Sequence, residues 1–181
     1  MRRLKPLPGQ PTLGDVIHAF PRVMVPIVRF QEALMRGPSP FSKAERELMA
    51  AYVSGLNSCS FCYRAHTLVA EEFGVDERLL EVLLDDIDAA PLDARMKPVL
   101  RYGHKLTTNP SRVVDADTEA ILEAGWDVAA VFQATAVCAC FNLINRLAQG
   151  IGFSASEEKM RAGAKAVADL GYAAANRIDD L

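Results

Sequence analysis

Apolar side chains recur at helical spacing along almost the whole chain, and alternating runs of β-branched residues are nearly absent. The pattern predicts an all-α protein. Residues 13–36 read as one or two helices, broken or kinked near Pro21 and Pro26. Gly37-Pro38-Ser39-Pro40 is a loop, and Ser42 with Glu45 forms a capping-box pattern that starts a helix at about Lys43 and carries it towards Gly55. Asn57-Ser58 supplies the next N-cap, with Cys59 in the first turn of a helix that ends at Gly74. Shorter helices follow from Asp76 to Leu84 and from Ala94 to Leu106. Pro98 is tolerated in the second only if it falls in the first turn.

Asp115 or Asp117 caps a segment to Ala124, and Trp126 opens the longest apolar stretch, to about Leu147. Gln133, Thr135, Asn142 and Arg146 interrupt that stretch, so it reads as a central core helix rather than a membrane span. Ser156 and Glu157 open a last helix continuing to Ile178. The prolines and glycine of residues 1–12 predict an extended arm, and residues 13–181 a single helical domain.

The chain has 181 residues, half of them apolar, enough for one sizeable core. Its net charge of −3 comes without a basic run, which gives no footprint for nucleic acid. Met1-Arg2-Arg3 leads into Leu4-Lys5-Pro6 rather than an apolar core, so no signal peptide is expected and the protein is placed in the cytoplasm. In that reducing compartment a structural disulfide is disfavoured. The two close cysteine pairs, Cys59/Cys62 and Cys138/Cys140, then suggest redox chemistry, a metal, or small buried side chains.

Cys59, Cys62 and His66 follow one another at i, i+3 and i+7, so all three share one face of a helix. Thiols so placed can come within disulfide reach, and the first turn of a helix stabilises a thiolate. His66 can accept a proton from Cys62 or relay one through water. Peroxide reduction needs a thiolate to attack the O–O bond, a second thiol to close a disulfide, an acid for the leaving oxygen and an external reductant. A pair of inert cysteines beside a surface histidine has the same spacing, and spacing alone does not choose between them. Glu47 lies twelve residues before Cys59. An antiparallel turn near Gly55 could bring it to His66, although position alone favours a solvated glutamate.

The stretch from Glu47 to His66 resembles the core motif of the AhpD-like, carboxymuconolactone decarboxylase superfamily: Glu, eleven residues, Cys-x-x-Cys, three residues, His. Chain length and the segment Phe141–Phe153 resemble its peroxidase-related branch, and the likeness extends over residues 15–155. The resemblance implies an AhpD-like helical fold, a homo-oligomer, and reduction of hydrogen peroxide or organic hydroperoxides by a dithiol/disulfide cycle without cofactor or metal. It implies an external dithiol, in the best-known members a lipoylated protein, as reductant. It puts Glu47 and His66 in a proton relay, Cys62 as attacking thiol and Cys59 as resolving thiol. Helix-end electrostatics alone would favour Cys59. The family pattern often has a second histidine between the cysteines, where this chain has Phe61.

Two rivals remain open: a decarboxylase or lactone-processing enzyme on the same fold, which would not need both cysteines, and a non-enzymatic redox sensor. Cys138 and Cys140 read as small buried residues rather than zinc ligands. His18 and His104 read as structural, Trp126 as core, and Tyr52 and Tyr63 as packing the pocket wall. Asn142 and Arg146, at i and i+4, could line the pocket, line an interface or cap a neighbouring helix.

Overall fold

The computed structural model of the protein describes residues 7–180, so half of the expected arm, residues 1–6, lies outside them. Among the described residues there is no strand, and ten α-helices follow one another: α1 Leu13–Ala19, α2 Pro21–Arg36, α3 Lys43–Leu56, α4 Ser60–Glu72, α5 Glu77–Asp85, α6 Met96–Thr108, α7 Asp115–Glu123, α8 Val128–Ile151, α9 Glu157–Leu170 and α10 Tyr172–Ala175.

Local signals account for most boundaries. Thr12 and Asp15 form a capping box at α1, and Ser42 and Glu45 form one at α3. Asp76, Asp127 and Ser156 accept backbone N–H groups at the starts of α5, α8 and α9. Asp117 accepts the N–H of Val114 at 2.8 Å. Gly74, at φ +86, ends α4 in a Schellman arrangement: its N–H reaches the Glu71 carbonyl at 2.9 Å and that of Val75 reaches Ala70 at 3.0 Å. Pro98 falls in the first turn of α6, as that helix requires.

Three expectations are corrected. Pro26 does not break α2; only Pro21 does, standing at the first helical position, where its missing N–H costs nothing. Asn57 is not an N-cap for α4. It closes α3, and its amide is turned towards α8 instead. The last helix does not reach Ile178. It stops at Gly171, whose φ of +85 turns the chain, because the Glu32 carboxylate accepts the N–H groups of Tyr172 at 2.5 Å and Ala173 at 3.2 Å. A Cβ on Gly171 would meet that carboxylate at 2.7 Å, so the site requires glycine on two counts.

The helices α3 and α4 form a closely packed hairpin at the centre. The long helix α8 crosses α3 and α6, and α9 covers α4. Met35, Phe41, Tyr52, Leu80, Leu100, Ile121 and Phe141 are fully buried between them. Helix α8 is long and apolar enough to cross a membrane, yet its polar side chains are engaged inside the fold: Asn145 is fully buried and Gln133 donates to the Leu34 carbonyl at 2.7 Å. It is a core helix, as its interrupted sequence predicts.

Candidate active site

The α3–α4 hairpin brings the motif together. A tight connection, in which Ser58 takes φ +52 and the Cys59 N–H bonds the Ser54 carbonyl at 2.9 Å, leaves Cys59 as the N-cap of α4 rather than in its first turn. Cys62 and His66 follow on successive turns of α4, both buried. Glu47 faces them from α3 with no exposed surface, so the solvated placement that its position favoured is overturned.

Glu47 is held from three sides. Oε2 accepts from His66 Nδ1 at 2.8 Å, Oε1 accepts from the Tyr172 hydroxyl at 2.7 Å, and the Arg36 Nη2 lies 2.7 Å from Oε1. The Arg36 contact is an ion pair without hydrogen-bond alignment, since neither Nη2 nor Nε finds an acceptor. The guanidinium is packed over the rings of Tyr172 at 4.7 Å and Phe73 at 5.3 Å. Burial by itself pushes the Glu47 carboxyl up. The His66 hydrogen bond and charge, Arg36 and Tyr172 outweigh it and hold the group below its usual range, as a carboxylate. An ionised acceptor at Nδ1 requires that nitrogen to carry the hydrogen, which leaves Nε2 as the basic atom of the ring.

The two thiols share their protons unequally. Cys59 accepts from the Cys62 thiol and from its backbone N–H; burial opposes, and the net effect lowers Cys59 to about 7. Cys62 is pushed up, first because it gives its proton to Cys59 and then because it is buried beside a forming negative charge. An Asn145 amide contact works the other way. Asn145 is itself fixed: its Oδ1 accepts from Asn57 at 2.9 Å and its amide donates to Ser54 Oγ at 3.0 Å. This polar chain, which also ties Asn57 to Asn142 at 3.2 Å, fastens the cysteine-bearing turn to α8.

Cys62 and His66 open on a cavity of about 260 Å³ bounded by α1, α2, α4, α8, α9 and α10. Its walls are mostly apolar, with Met24, Val28, Phe61, Leu147, Phe153 and Met160 among them. Cys59 does not line it. Neither do Tyr52 and Tyr63, contrary to expectation. Tyr52 is buried in the core near His104, and Tyr63 is half-buried beside Thr67 on another face of α4.

The remaining expectations are placed as follows. Cys138 and Cys140 are both buried away from the cavity. Burial pushes both thiols up, Cys140 to about 12, and Cys138 contacts Thr107 at 3.1 Å. His18 and His104 are exposed, and Trp126 packs on Phe41 at 4.5 Å between centroids. Arg146 bonds the Asn142 carbonyl and side chain within α8. Arg36, Tyr172 and Asn145 were missed. Arg36 looks like a basic residue closing a helix, and Tyr172 follows an unremarked glycine. Asn145 alone carried a signal, as an amide inside an apolar helix.

Residues 21–102, which contain Glu47, Cys59, Cys62 and His66, match the carboxymuconolactone decarboxylase family. The chain is similar in structure to an uncharacterized peroxidase-related protein from Silicibacter sp. TM1040, with 29% identity, TM-score 0.73, and 80% of this chain and 77% of that one covered. Two more distant chains share the fold. An alkylhydroperoxidase AhpD core, an uncharacterized peroxidase-related protein from Ralstonia eutropha JMP134, is 24% identical at TM-score 0.74, with 80% and 76% covered. A protein of unknown function from Agrobacterium tumefaciens is 17% identical at TM-score 0.67, with 77% and 96% covered. No protein of curated function matches the sequence. The family match falls on the α3–α4 hairpin that gathers the four motif residues, and together with the shared fold it supports assignment of the chain to the AhpD-like, carboxymuconolactone decarboxylase superfamily.

Proposed function

We propose that the protein is a thiol peroxidase. The observation that carries this reading is that Cys62 and His66 open on one cavity, while the buried Glu47 carboxylate sets the tautomer of His66 behind them. Cys59, lowered to about 7, accepts the Cys62 thiol proton in a hydrogen bond and is the first of the pair to ionise. Movement of that proton to Cys59 leaves the thiolate on Cys62, the sulfur a substrate can reach.

Cys62 attacks the terminal oxygen of the hydroperoxide. The O–O bond breaks, its electron pair leaves with the inner oxygen, and a proton delivered through His66 gives the alcohol or water. Cys62 is now a sulfenic acid. The Cys59 sulfur attacks it, forming the S–S bond and releasing the hydroxyl with a proton as water. An external dithiol, in this reading one carried by a lipoylated protein, then reduces the disulfide and is itself oxidised. The reading requires both cysteines, whereas decarboxylation or lactone chemistry does not.

The test is intact mass and free-thiol count after one equivalent of cumene hydroperoxide, with and without dihydrolipoamide. The expected result is loss of two thiols and two hydrogens, reversed by the dithiol with continued peroxide consumption. Cys62→Ser abolishes turnover, and Cys59→Ser stops after one oxidation. Four unreactive thiols would overturn the reading. A homo-oligomer belongs to the same proposal, supported by Phe30, Val128 and Phe132, which are exposed large apolar side chains; mass in solution tests it.

A further inference from the structure

The cavity is far larger than hydrogen peroxide needs. A void of about 150 Å³ already holds benzene, and this one measures about 260 Å³ with mostly apolar walls. A small polar peroxide would leave most of that lining in contact with water, so the lining has a use only for a substrate with an apolar body.

The charge of the lining is equally selective. Apart from His66, Lys159 is the one ionisable cation among the residues that bound the cavity, and no aspartate or glutamate is among them. Lys159 is exposed, and among the described residues no carboxylate lies within 4 Å of its amine. Its field helps to lower the Asp15 carboxyl, but that carboxylate is committed first to the Thr12 N–H at 2.8 Å and hydroxyl at 2.7 Å. Lys159 also stands in the first turn of α9, where the helix dipole disfavours a cation. Helix stability therefore does not account for it. An anion at the entrance would meet the ammonium, while Glu157 and Glu158 already answer the positive end of the helix.

We propose that the substrate is the hydroperoxide of an apolar carboxylic acid, with its hydrocarbon body in the cavity, its –OOH at Cys62 and its carboxylate at Lys159. This rests on the peroxidase reading and adds to it a substrate class and a specificity residue. The chemistry is unchanged: R–OOH and two thiols give R–OH, a disulfide and water, and the carboxylate takes no part in it.

Binding can be tested without turnover. The reduced protein is titrated calorimetrically with octanoic, decanoic and dodecanoic acids and their methyl esters. Affinity is expected to rise about threefold to fourfold per methylene until the cavity is full. The acid is expected to bind about fivefold better than its ester, the most that an exposed pair supplies. Lys159→Gln is expected to erase the acid–ester ratio. Gly163→Leu places a side chain where a Cβ meets nothing within 4 Å, and is expected to shorten the longest chain that gains affinity. Equal binding of acid and ester, or an acid preference that survives Lys159→Gln, overturns the proposal. Acid preference in a protein whose thiols ignore hydroperoxides would sink the peroxidase reading and leave the acid-binding pocket. Thiol oxidation without acid preference would do the reverse.

Discussion

Glu47 and His66, nineteen residues apart in sequence, meet at 2.8 Å in a place where the carboxylate has no exposed surface at all. A buried charge of this kind persists only with partners, and Glu47 has His66, Arg36 and Tyr172. The pair therefore governs both the order of the site and the proton chemistry open to it.

Glu47→Gln is expected to destabilise the fold by about 3 kcal/mol, since it strands the buried Arg36 guanidinium. Peroxide consumption is expected to fall by roughly two orders of magnitude or more through loss of the oriented histidine. Denaturant unfolding and a turnover assay measure the two effects separately. A variant with wild-type turnover would remove Glu47 from the relay.

The pH dependence of stability carries the same signature. The folded-state pKa of Glu47 lies below its unfolded value, so its contribution is fully present above the ordinary carboxylate range and is lost as pH falls through the folded value. Unfolding midpoints followed downward from pH about 5 should drop more steeply for wild type than for Glu47→Gln. Parallel curves would mean that the group is not depressed.

Cys59 is expected to be the first thiol to ionise, near pH 7. Ultraviolet absorbance of the thiolate should rise through that pH. In Cys62→Ala, which removes the donor, the rise should shift towards the ordinary thiol value of about 8.5. An unshifted profile would show that Cys62 does not supply the proton.

Tyr172→Phe removes the hydroxyl on Glu47 Oε1 and is expected to cost about 1.5–3 kcal/mol, the range for a hydrogen bond to a charged group. Gly171→Ala acts on the same contact indirectly, by strain at φ +85 and by intrusion on Glu32. It should lower both stability and peroxide turnover. If Gly171→Ala unfolds at the wild-type midpoint, the turn is not under the constraint described.

Asn145→Leu, near in shape, deprives Asn57 and Ser54 of their partner and Cys62 of its amide contact. An expected loss of about 1–3 kcal/mol should accompany slower oxidation of Cys62 by a stoichiometric hydroperoxide, read by stopped-flow mass analysis. Unaltered oxidation kinetics would confine Asn145 to holding the turn.

The helical fold was legible because the local signals were strong and agreed: the capping box at Ser42, the helix starts read at Asp76 and Ser156, and Gly74 after α4. Helical spacing put Cys62 and His66 on one face, and the motif that adds Cys59 and Glu47 singled them out. Glu47 was legible only through the family motif and not from its position, because the burial of a charge depends on what surrounds it, and its partner Tyr172 comes from far along the chain. Pro26 and Asn57 misled for a related reason. A proline can sit inside a helix that its neighbours pack, and an asparagine suited to a cap can serve a distant helix better. The break at Gly171 hinges on Glu32, a contact with no local trace.

The turn at Gly171 also sets an order of events during synthesis. The ribosome makes Cys62 and His66 long before it makes α9 and Tyr172, which supply one wall of the cavity and the third partner of Glu47. Until those late residues emerge and dock on Glu32, Cys62 and His66 lack one wall of their cavity and Glu47 lacks one of its partners. The nascent chain thus carries an open cavity until its C-terminal end arrives. The docking of α9 and Tyr172 closes it.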